Sequence, residues 1–232
     1  QLIFQSMNST GKALSQADLI RNFVLMGLEP DHQADLYNDH WRPMEVEFGQ
    51  ESYGDYFDSF MRHYLTVKTG DIPRIDGVYE AFKQHTQKLE ERGITVDQLV
   101  ADIHSFAKYF CAMALGKEAD KQLATAFKDL RELKVDVAYP FLLELYHDYN
   151  LGQLSKEDFY NAVRLIESYV FRRAVCAIPT NSLNKTFATF HKALNKNRYL
   201  ESIKAHLIGL RSYKRFPNDD EFKRELIIRD LY

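Results

Sequence analysis

Several residue groupings in this sequence have types and spacings that could do chemistry. Ser6-Met7-Asn8-Ser9-Thr10-Gly11-Lys12 ends in the Gly-Lys pair of a phosphate-binding loop. That loop also needs a glycine where Ser6 stands and a hydroxyl where Ala13 stands, because backbone amides wrap the phosphates and a Ser or Thr reaches Mg²⁺. The stretch therefore reads as a strand-to-helix turn, with Gly11 at positive φ and Asn8 bonding the local backbone. Such a turn can still receive an anion. His32, Asp35 and Asp39 share one helix face by spacing, but no fourth metal ligand accompanies them, so a solvated face is expected. Cys111 lies among Phe106, Phe110 and Met113 and reads as core rather than as a nucleophile. Arg172 and Arg173 are adjacent on a predicted helix, about 100° apart around its axis. One can pair internally while the other faces outward, towards a phosphate.

His147-Asp148 has the form of the metal-binding doublet of HD-type phosphohydrolases. That site needs further His and Asp ligands on other helices, and nothing singles them out, so an ordinary helix-end pair is expected. The sequence holds no paired-cysteine zinc spacing and no HExxH, GxSxG or GxGxxG motif.

The elements that must position these residues are helices. Ser15-Gln16-Ala17-Asp18 has capping-box spacing, Leu14 and Leu19 stand at staple positions, and Gly27 is placed to stop the helix. A second helix is predicted from Asp31 to Trp41, ending before Pro43, with a loop over 43–52. Further helices are predicted over 53–67, 78–92, 95–115, 118–133, from Asp136 or Tyr139 to Gly152, and from Ser155 to Ala177. The remainder are expected from Asn181 or Ser182 to Leu194, over 199–210 and over 219–231. The expected fold is all-α, an irregular multi-helix bundle of about ten helices with a short extended N-terminal segment. Residues 1–42 are expected to form a strand end and helix pair, and 53–232 the main bundle.

Composition agrees. Only 10 Gly and 6 Pro in 232 residues argue for long helices over turn-rich β folds. The two cysteines, both in apolar helical contexts, argue against a disulfide framework and for a reducing, cytoplasmic compartment. No apolar run approaches the roughly 20 residues that span a bilayer, so no membrane partner is expected. The chain opens Gln1-Leu2-Ile3-Phe4 without an initiator Met or signal pattern, and is expected to be a piece of a longer protein.

Charge is unevenly distributed. Residues 1–100 carry net −7 and residues 101–232 net +4. Within 160–216, eleven basic residues face only Glu167 and Glu201, with Tyr169, Phe171, Phe187, Phe190, Tyr199, Tyr213 and Phe216 interleaved. Clustered cations that release counterions from phosphates are the footprint of nucleic-acid binding. Arg172, Arg173, Lys185, Lys192, Lys196 and Arg198 are the candidate DNA phosphate contacts. A solvated helical surface balanced by the acidic first half is the alternative.

Two segments resemble a known family. Phe4, Asn8, Gly11, Leu14, Asp18-Leu19-Ile20 and Asn22 stand as in a signature segment of the GmrSD-type restriction endonuclease family. Phe171-Arg172-Arg173-Ala174-Val175-Cys176, continuing through Pro179-Thr180-Asn181 and Leu183-Asn184-Lys185-Thr186-Phe187, is similar to a later family segment. The resemblance implies a larger protein in which a ParB-like domain with an Asp-Gly-Gln-Gln-Arg motif, associated with nucleotide hydrolysis, comes first. A helical region follows, then an HNH-type nuclease domain. Both catalytic motifs are absent from this sequence. The resemblance therefore implies the helical region between them, with no cofactor of its own. NTP and a divalent metal would belong to the full-length protein, and DNA, modified in many cases, would be the partner. Asn8, Gly11, Asp18, Arg21 and Asn22 would then lie against the missing N-terminal domain or near its nucleotide. The competing expectations are an interaction scaffold that never touches nucleic acid and a metal-dependent α-helical phosphohydrolase.

Overall fold

The computed structural model describes residues 14–228, and among these the protein is all-α, with no strand. The helices are α1 (Gln16–Leu25), α2 (Pro30–Leu36), α3 (Arg42–Phe48), α4 (Gln50–Thr69), α5 (Val78–Glu90), α6 (Val96–Ala114), α7 (Lys121–Glu132), α8 (Tyr139–Asn150), α9 (Lys156–Val175), α10 (Leu183–Ala188), α11 (Tyr199–Gly209) and α12 (Asp219–Ile228). The extended segment expected at the N-terminus lies outside the described residues. No described helix is long and apolar enough to cross a membrane. The chain divides into two compact units. One contains the residues up to Leu65 together with Pro73–Lys108, and the other contains Thr66–Ile72 together with the residues from Tyr109 onward.

The first unit is built on aromatic packing. Trp41, Phe48, Phe57, Phe60 and Tyr64 are all buried, and the Trp41 indole N–H donates to the Tyr53 hydroxyl at 3.1 Å. The predicted capping box at the start of α1 is present. Ser15 Oγ accepts from the Asp18 amide at 3.1 Å, and Asp18 accepts from the Ser15 amide at 3.3 Å. Asp58 adds a second cap, accepting from the Gln16 and Ala17 amides. These bonds satisfy donors that a helix start otherwise leaves exposed.

The loop expected over 43–52 is helical instead. Helix α2 does not end before Pro43. Its backbone widens at Tyr37–Trp41 into a π turn, where the Arg42 amide donates to the Tyr37 carbonyl, five residues back. Pro43 follows directly on the wide turn, in the first turn of α3; a regular α ladder would set its ring against the carbonyl four residues back. Gly49, at φ 80°, ends α3. Met44 and Phe48 are thereby turned into the core.

In the second unit, Asp120 caps α7 and Ser155 caps α9 through side-chain oxygens. The helix expected from Asn181 or Ser182 to Leu194 breaks at Thr189. Thr186 and Thr189 donate their hydroxyls to the Ser182 and Lys185 carbonyls, at 2.9 and 2.8 Å. Such back-bonding competes with the helical ladder. The chain then re-enters as a 3-10 turn, Phe190–Ala193. The break delivers Phe190 to the core, with its ring 4.2 Å from that of Phe141 and 4.4 Å from His206.

Candidate functional site

The last turns of α9 organise two loops of the second unit. The chain leaves α9 through Ala177 at φ 48°, and the second loop is entered through Ser212 at φ 56°. With Lys134, these are the non-glycine residues at positive φ among the described residues. Each left-handed residue costs about 1 kcal/mol or more, so something must hold these loops. Arg173 does so. Its Nη2 donates to the Pro179 carbonyl at 2.7 Å and its Nη1 to the Tyr213 carbonyl at 2.8 Å. Tyr169, four residues earlier on the same face, donates its hydroxyl to the Lys214 carbonyl at 2.8 Å. The Arg173 guanidinium also lies 5.3 Å from the centroid of the Tyr169 ring. Arg173 is only 1% exposed. Among the described residues it has no carboxylate partner. Burial pushes its pKa down and the neighbouring Tyr169 opposes that shift.

The two loops held by Arg173 line an open cleft of about 450 Å³, formed by Pro179, Asn181, Ser182, Lys185, Tyr213 and Lys214. Two cations and no carboxylate line it. Ser182 Oγ is buried and has no hydrogen-bond partner among the described residues. The Tyr213 side chain is exposed, with Lys214 Nζ 6.0 Å from the centroid of its ring. This arrangement can bind an anion, through ammonium groups, beside a flat apolar surface.

The arginines next to Arg173 and Lys214 in sequence are held in ion pairs. Arg172 Nη1 lies 2.6 Å from Asp219 at the start of α12, and its guanidinium lies 5.0 Å from the Phe222 ring centroid. Arg172 holds the Asp219 carboxyl below its ordinary pKa. Arg215 pairs with Glu221. Arg172 and Arg173, expected as phosphate contacts, are thus engaged within the protein. Arg173 has no exposed surface to offer a ligand, and Arg172 is committed to α12.

Lys196 is likewise engaged. Its ammonium lies 2.8 Å from the carboxylate of Asp148, which is 2% exposed and also accepts from the Tyr199 hydroxyl. The pair His147-Asp148, expected to be an ordinary helix end, therefore supplies a buried anchor for α11. Glu144, one turn back on α8, has its pKa pushed up to about 7. Burial is the main cause, and Lys196 opposes it more than Asp148 adds to it. Lys185, Lys192, Arg198, Lys204, Arg211 and Lys214 have no carboxylate partner among the described residues. Arg211 donates to the Ile208 carbonyl.

Asp18 and Arg21 lie in the first unit. Arg21 bridges Asp18 and Glu45, each at 3.0 Å, which ties α1 to α3. The Asn22 carbonyl accepts from Met26 at the end of α1. Asn8 and Gly11 lie outside the described residues. His32, expected to be solvated, bonds Asp97 at 2.7 Å. Among the described residues no group of three His, Cys, Asp or Glu side chains could hold a metal ion. Cys111 is buried, as its apolar neighbours suggest.

Sequence reasoning missed Tyr213, Lys214 and Ser182 as parts of one cleft. The available signal was the interleaving of basic and aromatic residues, which gives no partner across about 30 positions of chain. It also missed Asp148 as the partner of Lys196. Comparison with family models, curated proteins and solved structures finds no match for this chain.

Proposed function

We propose that this chain is the helical region of a GmrSD-type DNA restriction protein and that its second unit holds nucleic-acid phosphates. It would couple an NTP-dependent ParB-like domain to a nuclease domain in the cytoplasm, and carry out neither reaction itself. The family half of this reading rests on the two resembling segments. The DNA half is carried by one observation. After the internal pairing of Arg164, Arg172, Lys196 and Arg215, the cations Lys185, Lys192, Arg198, Lys204, Arg211 and Lys214 have no carboxylate partner among the described residues. In the stretch 176–216 that contains them, Glu201 is the sole acid. Unneutralised cations on a polar surface are what phosphates displace counterions to reach.

The test is duplex DNA binding by fluorescence anisotropy, measured as salt is raised. With about four phosphates engaged, affinity should fall roughly a hundredfold between about 50 and 200 mM salt. Replacing Lys185, Lys192, Arg198 and Lys204 together by glutamine should flatten that dependence. Binding that ignores salt, or no binding, favours a scaffold that never meets DNA. Metal-dependent nucleotide or phosphodiester turnover by the purified chain would overturn the assignment of catalysis to other domains.

A further inference from the structure

We infer that the cleft between the 179–185 and 213–214 segments binds a single nucleoside phosphate. Its phosphoryl group would be held by Lys185 and Lys214, with its flat base laid on Tyr213. Three observations converge on this ligand. The volume, about 450 Å³, suits one small organic ligand and is far too small for a duplex groove. Two ammonium groups and no carboxylate line the cleft, so its ligand is anionic. Tyr213 leaves 56% of its surface in solvent beside the Lys214 ammonium, a stacking surface next to a charge.

The cleft is also pre-formed. Both loops hold a non-glycine residue in the left-handed region, Ala177 and Ser212, and both are fixed by Arg173 from beneath. Strain retained on both sides of one cleft, and held by a buried cation, is a pattern of pre-organised ligand sites. Arg173 is therefore a positioning residue. Its charge adds to the field of the cleft while its surface stays hidden.

The nucleoside phosphate could be free in solution or be one unpaired nucleotide of a strand, and only the second source rests on the DNA reading above. The experiment titrates the full chain by calorimetry with inorganic phosphate, a nucleoside monophosphate, a single-stranded oligonucleotide and a duplex. The monophosphate should bind at least tenfold more tightly than inorganic phosphate. Lys185→Gln with Lys214→Gln should weaken both anions. Tyr213→Leu should weaken the monophosphate about tenfold and leave phosphate unchanged, and Tyr213→Phe should restore it. Single strand bound more tightly than duplex, and sensitive to Tyr213→Leu, identifies a strand as the source. Monophosphate binding alone identifies a free nucleotide. A folded wild-type chain that binds neither monophosphate nor single strand overturns the inference, as does binding indifferent to Tyr213→Leu. Duplex binding that persists in that case leaves the DNA reading standing. Monophosphate binding without duplex binding removes the duplex reading and leaves the cleft.

Discussion

Replacing Arg173 by methionine isolates the residue that holds the cleft together. Methionine is shorter by two atoms but is unbranched, flexible and apolar, so it can fill most of the buried space. Two hydrogen bonds from a charged donor are lost, those to the Pro179 and Tyr213 carbonyls at 2.7 and 2.8 Å. Hydrogen bonds to charged groups contribute about 1.5–3 kcal/mol each, or about 3–6 kcal/mol together. Against that loss, a cation without a carboxylate partner among the described residues no longer has to be kept out of water, which returns a few kcal/mol. The two loops, already strained at Ala177 and Ser212, can also relax towards solvent. The expected net loss is about 2–3 kcal/mol. With a urea dependence of about 2–3 kcal/mol per molar, the midpoint should fall by about 1 M in urea titrations followed by circular dichroism. Trp41, the single tryptophan, is buried in the first unit, and its native emission should not change. The folded variant should also lose affinity for the nucleoside phosphate. A midpoint within about 0.2 M of wild type would refute the account of Arg173 as the brace of these loops.

Two further outcomes follow from the cluster on α8. Glu144 has a folded pKa of about 7, above its ordinary value, so the folded chain binds this proton more tightly than the unfolded one. Its protonated form contributes stability that is full below about pH 4.5 and is lost as pH rises through 7. Glu144→Gln should abolish that part of the pH dependence, worth about 1–2 kcal/mol after discounting for partial exposure, as read from urea midpoints between pH 5 and 8. Asp148→Ala should cost about 2–4 kcal/mol, because the Tyr199 hydroxyl loses its acceptor and the start of α11 loses its anchor. Thermal melting checks it, and a loss under about 0.5 kcal/mol would be inconsistent with a buried, doubly bonded carboxylate.

What was legible in the sequence was local. Ser15 with Asp18, and Ser155 at the head of α9, announce helix starts because the cap and the amide it accepts from are only three residues apart. Gly27, Gly93 and Gly152 follow helices and sit at positive φ, as their position after an apolar stripe suggests. The break at Thr189 was not legible, because a threonine hydroxyl can face water or back-bond its own helix, and packing of Phe190 decides between them. The same holds for the cleft. The sequence shows Arg172 and Arg173 as a pair of outward or inward cations, but their partners lie up to 47 residues further along the chain. Nothing in local spacing says that a carbonyl at Tyr213 awaits one and a carboxylate at Asp219 the other. Net charge was misleading in the same way, since several basic residues of the 160–216 stretch are neutralised inside the protein.

The π turn at Tyr37–Trp41 sets the phase of the helix that follows it in the first unit. A π turn is an α-helix carrying one residue more than its hydrogen-bond ladder needs, and the wide turn absorbs that residue, so the helix on either side keeps its phase. Drawing 37–41 into the regular α pattern with every residue kept would rotate everything after it by about 100°. The inward places of Met44 and Phe48 would then fall to Pro43 and Glu47. A carboxylate would enter an aromatic core, and Arg21 would lose the partner that ties α1 to α3. In this segment the width of one turn, as much as the identity of the residues, keeps the apolar stripe facing the core.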